Sequence, residues 1–210
     1  MAQKIHPTGF RIGISKDWST KWYADKKQYG KNVLQDHVIR EYVKNKFDVA
    51  GLKNIEIARS ANDINLTLHV SKPGVVIGKS GAIVAGAKND LEKLTSAKVS
   101  ITAEQVKVPE IEAQLVGDFI SRQLQRRKNY RRVVNAALQS AMDKGALGIK
   151  IKVSGLLSGG NSIARSETFS KGPVPTQTLR ADIDYAQIHS QQLFGTIGIK
   201  VWIYKGELDL

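Results

Sequence analysis

Residues 74–84 of the chain read Gly-Val-Val-Ile-Gly-Lys-Ser-Gly-Ala-Ile-Val, and this stretch decides how the first half of the sequence folds. Its centre is the tetrapeptide Gly78, Lys79, Ser80, Gly81, with apolar residues on both sides. Glycine has no Cβ, so a loop flanked by two glycines can bring its backbone close to a phosphate. A helix that starts at or just after the second glycine would direct N–H groups at the same anion, and Lys79 adds a positive charge. These four residues are therefore predicted to bind single-stranded nucleic acid.

The loop resembles the I-G-x-x-G-x-x-[IV] signature of KH domains, in which it clamps the backbone of about four single-stranded nucleotides. By itself a G-x-x-G is common and predicts only a tight turn. Here Val76 and Ile77 precede it, Ile83 follows it, and strands are predicted on both sides, which favours the RNA clamp. The stretch from Gly74 to Ser80 also approaches a Walker A loop, but it has one residue too few between its glycines to wrap a phosphate. Nucleotide hydrolysis is therefore disfavoured.

Charge is the second strong signal. The 210 residues carry a formal net charge of +13 and a pI of about 9.9, which is far beyond the needs of solubility and indicates a polyanionic partner. The excess is +5 over residues 1–50, +2 over 51–105 and +6 over 106–210, so no single basic tail accounts for it. There is no cysteine, which excludes disulfides and thiolate chemistry. Neither a signal peptide nor a membrane-spanning run is recognisable, so we expect a cytoplasmic protein with no membrane partner.

Hydrophobic periodicity predicts the elements of the first half. Residues 1–27 show no clear period and are predicted to form an extended basic arm. A helix is predicted over 31–47, strands over 53–59 and 63–71, a short helix before the glycine loop, a helix from the loop to about residue 94, and a strand over 97–104. This order is that of the prokaryotic, type II KH domain, which we place at residues 28–106.

The second half, residues 107–210, is predicted to be a separate α+β domain that begins near Pro109. Helices are predicted over 110–125 and 130–143, followed by strands over 148–154, 162–170, 176–186 and 195–205. The fold class is thus α+β: an N-terminal type II KH domain followed by a domain with two helices packed on a mostly antiparallel sheet.

A basic stretch joins the two predicted helices of this second domain. It contains Arg122, Arg126, Arg127, Lys128, Arg131 and Arg132, with no acidic residue between Asp118 and Asp143. Like charges spaced i, i+4 on a helix repel each other, and a purely structural face would normally intersperse acids. The stretch is therefore interpreted as a phosphate-binding surface rather than a solvated helix end.

A third group of cations lies on the predicted strands. Lys150 and Lys152 share one strand face, and Arg165, Arg180 and Lys200 could join them. Two interpretations stay open. These side chains contact RNA, or they pair across strands with the carboxylates of Asp182, Asp184 and Glu167.

Signatures of an enzyme are poor. The four histidines show no metal-ligand spacing, and there is no G-x-S-x-G elbow. Asp182 and Asp184 could mimic a catalytic carboxylate pair, but Arg180 beside them favours a row of salt bridges. We therefore expect no catalytic residue, no metal and no cofactor.

Three further motifs point to a family. Residues 1–11 read Met-Ala-Gln-Lys-Ile-His-Pro-Thr-Gly-Phe-Arg, residues 179–185 read Leu-Arg-Ala-Asp-Ile-Asp-Tyr, and residues 198–207 read Gly-Ile-Lys-Val-Trp-Ile-Tyr-Lys-Gly-Glu. Together with the KH loop and the pair Arg131 and Arg132, they resemble bacterial small-subunit ribosomal protein three over essentially the whole chain. A free KH-type regulator of single-stranded messages is the alternative, and the charge spread over the whole chain favours the ribosomal protein.

The resemblance implies a place in the head of the small subunit, bound to ribosomal RNA beside small-subunit proteins ten and fourteen. The second domain would line the channel through which mRNA enters, with proteins four and five, and help to unwind structured mRNA. Arg131 and Arg132 match two of the family's basic positions there, whereas the third is Asn135. Leu156 and Pro173 also stand where the family usually has arginine. Whether the KH groove takes mRNA or rRNA stays open.

Overall fold

The computed structural model of the chain describes residues 4–60, 63–95, 97–157 and 163–208, without the side chain of Ser80. The helices are α1 (Pro7–Arg11), α2 (Lys26–Phe47), α3 (Pro73–Ile77), α4 (Ala82–Thr95), α5 (Ala113–Gln125) and α6 (Tyr130–Asp143). The strands are β1 (Thr20–Lys21), β2 (Leu52–Arg59), β3 (Asp63–Val70), β4 (Lys98–Gln105), β5 (Gly148–Gly155), β6 (Arg165–Lys171), β7 (Ala181–Gln192) and β8 (Gly195–Glu207). They form two compact units: residues 18–107, and residues 108–210 together with the segment that ends at residue 17.

The unit of residues 18–107 contains a four-stranded sheet in the order β1-β2-β3-β4. β2 and β3 are antiparallel, whereas β3 and β4 are parallel, because the chain crosses back through α3, the glycine loop and α4. Alternate residues of β3 are buried, as the sequence predicts, and they pack against Ile39, Val43 and Phe47 of α2. The predicted type II KH topology is confirmed.

The other unit contains a fully antiparallel sheet in the order β6-β5-β8-β7. Its core lies between one face of this sheet and helices α5 and α6, with Ile120, Val134 and Leu138 packed against Ile151 and Val201. The predicted α+β architecture of two helices on an antiparallel sheet is confirmed. In α5, however, the large apolar side chain of Phe119 is 48% exposed.

One predicted strand of this sheet is displaced along the chain. The prediction over 176–186 is wrong at both ends, since β7 runs from Ala181 to Gln192. Pro173 and Pro175 lack the N–H that a strand ladder needs, so the chain before residue 181 stays irregular. Beyond residue 186 the strand continues because Ile188 packs into the core and Ser190 is also buried.

The predicted arm over residues 1–27 is not extended along its described length. α1 packs beside β7, where the buried guanidinium of Arg11 donates hydrogen bonds to the carbonyl oxygens of Ala181 at 2.8 Å and Thr178 at 2.7 Å. Farther along, β1 pairs in parallel with β2, and Arg40 of α2 donates to the Thr20 hydroxyl at 2.9 Å. Periodicity could not show this, because single long-range contacts hold the segment in place.

Candidate nucleic-acid interface

The glycine loop joins α3 to α4 in a conformation that requires glycine. Gly78 has φ +71° and Gly81 has φ +76°, both in the left-handed region that side chains with a Cβ rarely adopt. A Cβ on Gly78 would lie 2.5 Å from Cγ1 of Ile83, so this position is also sterically closed. Lys79 is exposed between the two glycines, and α4 begins at Ala82 directly after them. The start of α4 therefore lies next to the exposed cation, as the sequence predicts for a phosphate clamp.

Exposed apolar side chains surround this loop. The sequence shows that these residues are apolar, but only the structure shows that they are exposed. Val75 is 41% exposed, Ile77 46% and Ile83 41%, although all three are large and apolar. Val75 and Ile77 come from α3, and Ile83 covers Gly78 from the first turn of α4. Apolar contact surface beside a phosphate clamp suits the faces of unpaired bases, so these residues extend the candidate RNA site.

The basic stretch forms the turn between α5 and α6. α5 ends at Gln125, Arg127 adopts φ +57°, and the side chain of Asn129 accepts a hydrogen bond from the backbone N–H of Arg131 at 3.0 Å. Arg126, Arg127 and Lys128 are thus outside both helices, and their side chains are exposed. The i, i+4 repulsion expected for a continuous helix does not arise, because the turn separates the cations.

Arg131 has an acidic partner that its sequence neighbourhood does not reveal. Glu167 of β6 accepts hydrogen bonds from the Arg131 guanidinium at 3.0 Å and from the Tyr130 hydroxyl at 2.9 Å. The hydrogen bond from Arg131, followed by that from Tyr130, lowers the pKa of Glu167, and the bond to Glu167 raises the pKa of Arg131. Both groups are therefore charged at neutral pH, and part of the positive charge of Arg131 is neutralised within the protein.

Arg132 lies beside a cavity and not beside a carboxylate of the described residues. A cavity of about 660 Å³ lies beside the turn and is lined by Phe119, Gln123, Lys128, Asn129, Arg132, Val133 and Ala136. Arg132 is exposed, and among the described residues no carboxylate lies within ion-pair distance of it. Of the two neighbouring arginines, Arg132 is therefore the one whose charge is fully available to a polyanion. Arg122 is half-buried near the end of α5.

The register of the second sheet divides the strand cations into three groups. Lys150, Lys152 and Lys200 share the face opposite the helices. Arg165 lies on the other face, since it is four residues before Phe169 on the same strand and Phe169 packs on the core. Arg180 precedes β7 and forms an ion pair with Glu207 at 2.7 Å. The expectation that Arg165 and Arg180 join the lysines on one face is therefore wrong.

The carboxylates expected to neutralise the lysines have other partners. Asp182 pairs with Lys16 of the N-terminal segment. Asp184 accepts a hydrogen bond from the backbone N–H of Ala113 at 2.8 Å. Burial raises the pKa of Asp184, but this hydrogen bond and the charge of Lys205 outweigh it, so the pKa lies below its usual value. The two aspartates thus form neither a catalytic pair nor a salt-bridge row with Arg180.

Comparison with known proteins agrees with both halves of the structure. Residues 38–111 match the KH domain family, and residues 120–203 match the family described as ribosomal protein S3, C-terminal domain. The chain is 48% identical over 208 residues to small ribosomal subunit protein uS3 of Carboxydothermus hydrogenoformans, covering 99% of this chain and 93% of that protein. The proteins of the same name from Finegoldia magna and Enterococcus faecalis are 47% and 48% identical, with coverage of 99% of this chain and 85% and 94% of theirs.

The chain belongs to the uS3 family of small ribosomal subunit proteins. It is therefore an RNA-binding structural constituent of the small ribosomal subunit and not an enzyme. No helix within the described residues is long and apolar enough to cross a membrane.

The three positions at which the resemblance implies a missing basic residue lie in different parts of the fold. Asn135 is exposed on α6, one turn after the two arginines. Leu156 is half-buried after β5, and Pro173 is exposed, with its backbone close to Gly148. Residues 158–160, which follow closely after Leu156, lie outside the described residues.

Proposed function

We propose that the chain holds ribosomal RNA in the head of the small subunit and lines the channel through which mRNA enters, where it assists the unwinding of structured mRNA. One observation carries this proposal. The turn between α5 and α6 presents exposed Arg126, Arg127, Lys128 and Arg132 together, and the first three stand outside the helices. Exposed guanidinium and ammonium groups grip phosphates without reading sequence, as contact with a moving message requires.

The KH domain, residues 28–106, is the second RNA-binding element of the proposal. Gly78, Lys79, Ser80 and Gly81 form its clamp, and the exposed Val75, Ile77 and Ile83 offer apolar surface to bases. Residues 107–210 form the C-terminal domain. In a cytoplasmic ribosome the neighbours would be small-subunit proteins ten and fourteen in the head, and proteins four and five at the mRNA entrance.

The two arginines of α6 are expected to contribute unequally to unwinding. Arg131 is held by Glu167, which also accepts a hydrogen bond from Tyr130, whereas Arg132 is exposed beside the cavity. An exposed ion contact contributes about 0.2–1 kcal/mol, and a guanidinium that already has a carboxylate partner contributes less. Arg132 is therefore the main contact for mRNA phosphates in this proposal, and Arg131 supports it.

Elongation on paired reporters that differ only in a stable hairpin tests this proposal. Ribosomes with Arg131→Ala and Arg132→Ala should translate the hairpin message about two- to fivefold more slowly and the unstructured message at the normal rate, since two weak contacts are lost. Arg132→Ala alone should account for most of the effect. Asn135→Lys should act in the opposite direction by adding a charge one turn along α6.

The control is Lys144→Ala, which removes an exposed charge just after the last turn of the same helix. It should leave both reporters unchanged. Equal slowing on both messages, or failure of the double variant to enter small subunits, would mean that the arginines hold ribosomal RNA instead of the incoming message.

A further inference from the structure

The sheet of the C-terminal unit has one face on the helices and one face that is largely uncovered. On the uncovered face the strand register aligns side chains in rows across β6, β5, β8 and β7. These rows are Ser170, Lys150, Trp202 and Tyr185; then Thr168, Lys152, Lys200 and Gln187; then Ser166, Ser154, Gly198 and His189. None of the twelve residues is acidic, and three of them are lysines.

The middle row places two like charges directly opposite each other. Lys152 and Lys200 are register partners on neighbouring strands, and both are exposed. Like charges in this position destabilise a sheet, and a sheet selected only for stability would place a carboxylate at one of them. Among the described residues, no carboxylate lies within ion-pair distance of either lysine, because Asp182 and Glu167 pair with Lys16 and Arg131.

The rest of this face contacts Lys150 and supplies hydrogen-bonding groups. The Lys150 ammonium lies 5.7 Å from the centre of the Trp202 ring, and Tyr185 packs against Trp202 at a tilt, with ring centres 5.2 Å apart. Serine, threonine and glutamine side chains flank the charged row. One end of this face is covered. There the buried Ile183 and Tyr204 pack with Val174, and His6 of the N-terminal segment meets the edge of Tyr185.

We propose that this open sheet face, centred on Lys150, Lys152 and Lys200, is a separate binding surface for the sugar–phosphate backbone of an RNA strand. The inference rests on the RNA-binding role of the chain but not on the glycine loop or on the arginines of α6. A phosphate between Lys152 and Lys200 relieves their mutual repulsion, so binding recovers the stability that the like-charge pair costs. Hydroxyl and amide groups beside the lysines suit phosphate oxygens and 2′-hydroxyl groups, both of which RNA presents along its length.

The salt dependence of RNA binding by the full-length protein tests the proposal. The probe is a fluorescent, unstructured RNA oligonucleotide, and the variant is Lys152→Gln with Lys200→Gln. For single strands the slope of log K against log salt changes by about 0.7 for each phosphate contact, so the slope should become shallower by about 1.4. The melting temperature should stay constant or rise, because the repulsion is removed.

Two further variants make the result specific. Lys93→Gln with Lys144→Gln removes the same charge from two exposed positions outside the proposed surfaces, and it should leave the slope nearly unchanged. Lys79→Glu impairs the glycine loop, and it should weaken RNA binding independently of the sheet variant. If only the sheet variant had no effect, the open face would not bind RNA, while the glycine loop would keep its role.

Competition with polyglutamate addresses the alternative that the face docks an acidic protein segment. If the sheet variant weakened binding of polyglutamate but left the RNA slope equal to that of the control, the proposal would be overturned. If the sheet variant changed the RNA slope and the Lys79→Glu variant did not change affinity, the open face would stand and the loop would lose its assigned role.

Discussion

Two independent constraints require glycine at position 78: the backbone conformation and the lack of room for a Cβ. Its φ of +71° is unfavourable for any residue with a Cβ, and that Cβ would lie 2.5 Å from Ile83. Gly81 has a similar φ of +76°, but no heavy atom lies within 4 Å of the position of its Cβ. A Cβ at Gly81 would therefore cause only backbone strain, whereas a Cβ at Gly78 would cause backbone strain and a steric clash.

This difference gives a prediction at the level of the residue. Gly81→Ala should cost about 1–2 kcal/mol of unfolding free energy, the usual penalty for a left-handed residue with a Cβ. Gly78→Ala should cost more, because Ile83 must also move. Urea unfolding of both variants, followed together with RNA affinity, measures the difference. Equal losses from the two substitutions would show that Ile83 moves aside without cost.

At the scale of the element, α6 depends on its first residues to present the arginines. The side chain of Asn129 accepts a hydrogen bond from the backbone N–H of Arg131, and a helix that loses such a cap is typically destabilised by about 1 kcal/mol. We therefore expect Asn129→Ala to lower the stability of the C-terminal unit by about this amount and to increase hydrogen exchange in the first turn of α6.

The matched substitution is Asn135→Ala, which lies on the exposed side of the same helix away from its end. Alanine is a better helix former than asparagine, so this variant should be neutral or slightly stabilising. A loss of stability at Asn135 as large as that at Asn129 would contradict a capping role and indicate a general sensitivity of the helix.

At the scale of the whole molecule, one unit is formed by two separate stretches of the chain, and the other unit lies between them in the sequence. Residues before Trp18 belong with residues 108–210, and Arg11 is fully buried among carbonyl oxygens of the segment that precedes β7. It donates to Pro7 at 3.1 Å, Thr176 at 3.1 Å, Thr178 at 2.7 Å and Ala181 at 2.8 Å.

Arg11→Met should keep much of the volume but leave these carbonyl oxygens without a donor. The expected loss is about 3–5 kcal/mol, in the range found when a buried hydrogen-bond network is broken. Hydrogen exchange should rise in residues 172–183 and stay unchanged in the strands of the KH domain. As a control, Arg180→Met removes an exposed ion pair with Glu207 and should cost less than about 1 kcal/mol. Similar losses for both would rule out the anchoring role of Arg11.

The sequence by itself determined the features that depend on neighbouring residues. The glycine loop is recognisable because its conformation requires glycines at a fixed spacing, and β3 is recognisable because burial on one face imposes a period of two. The basic turn is also visible, since its cations are consecutive or nearly so. These signals were sufficient for the KH topology, the α+β class and the family, all of which the structure and the relatives confirm.

Only the tertiary structure decided which charges meet. Arg131 and Glu167 are 36 positions apart, and Arg11 and Ala181 are 170 apart, so no local pattern links them. Strand register likewise assigned Lys200 to the open face and Arg165 to the helix face, because a shift of one residue reverses the face of every side chain. Register and long-range ion pairs are set by how whole elements pack, and a linear sequence does not record that packing.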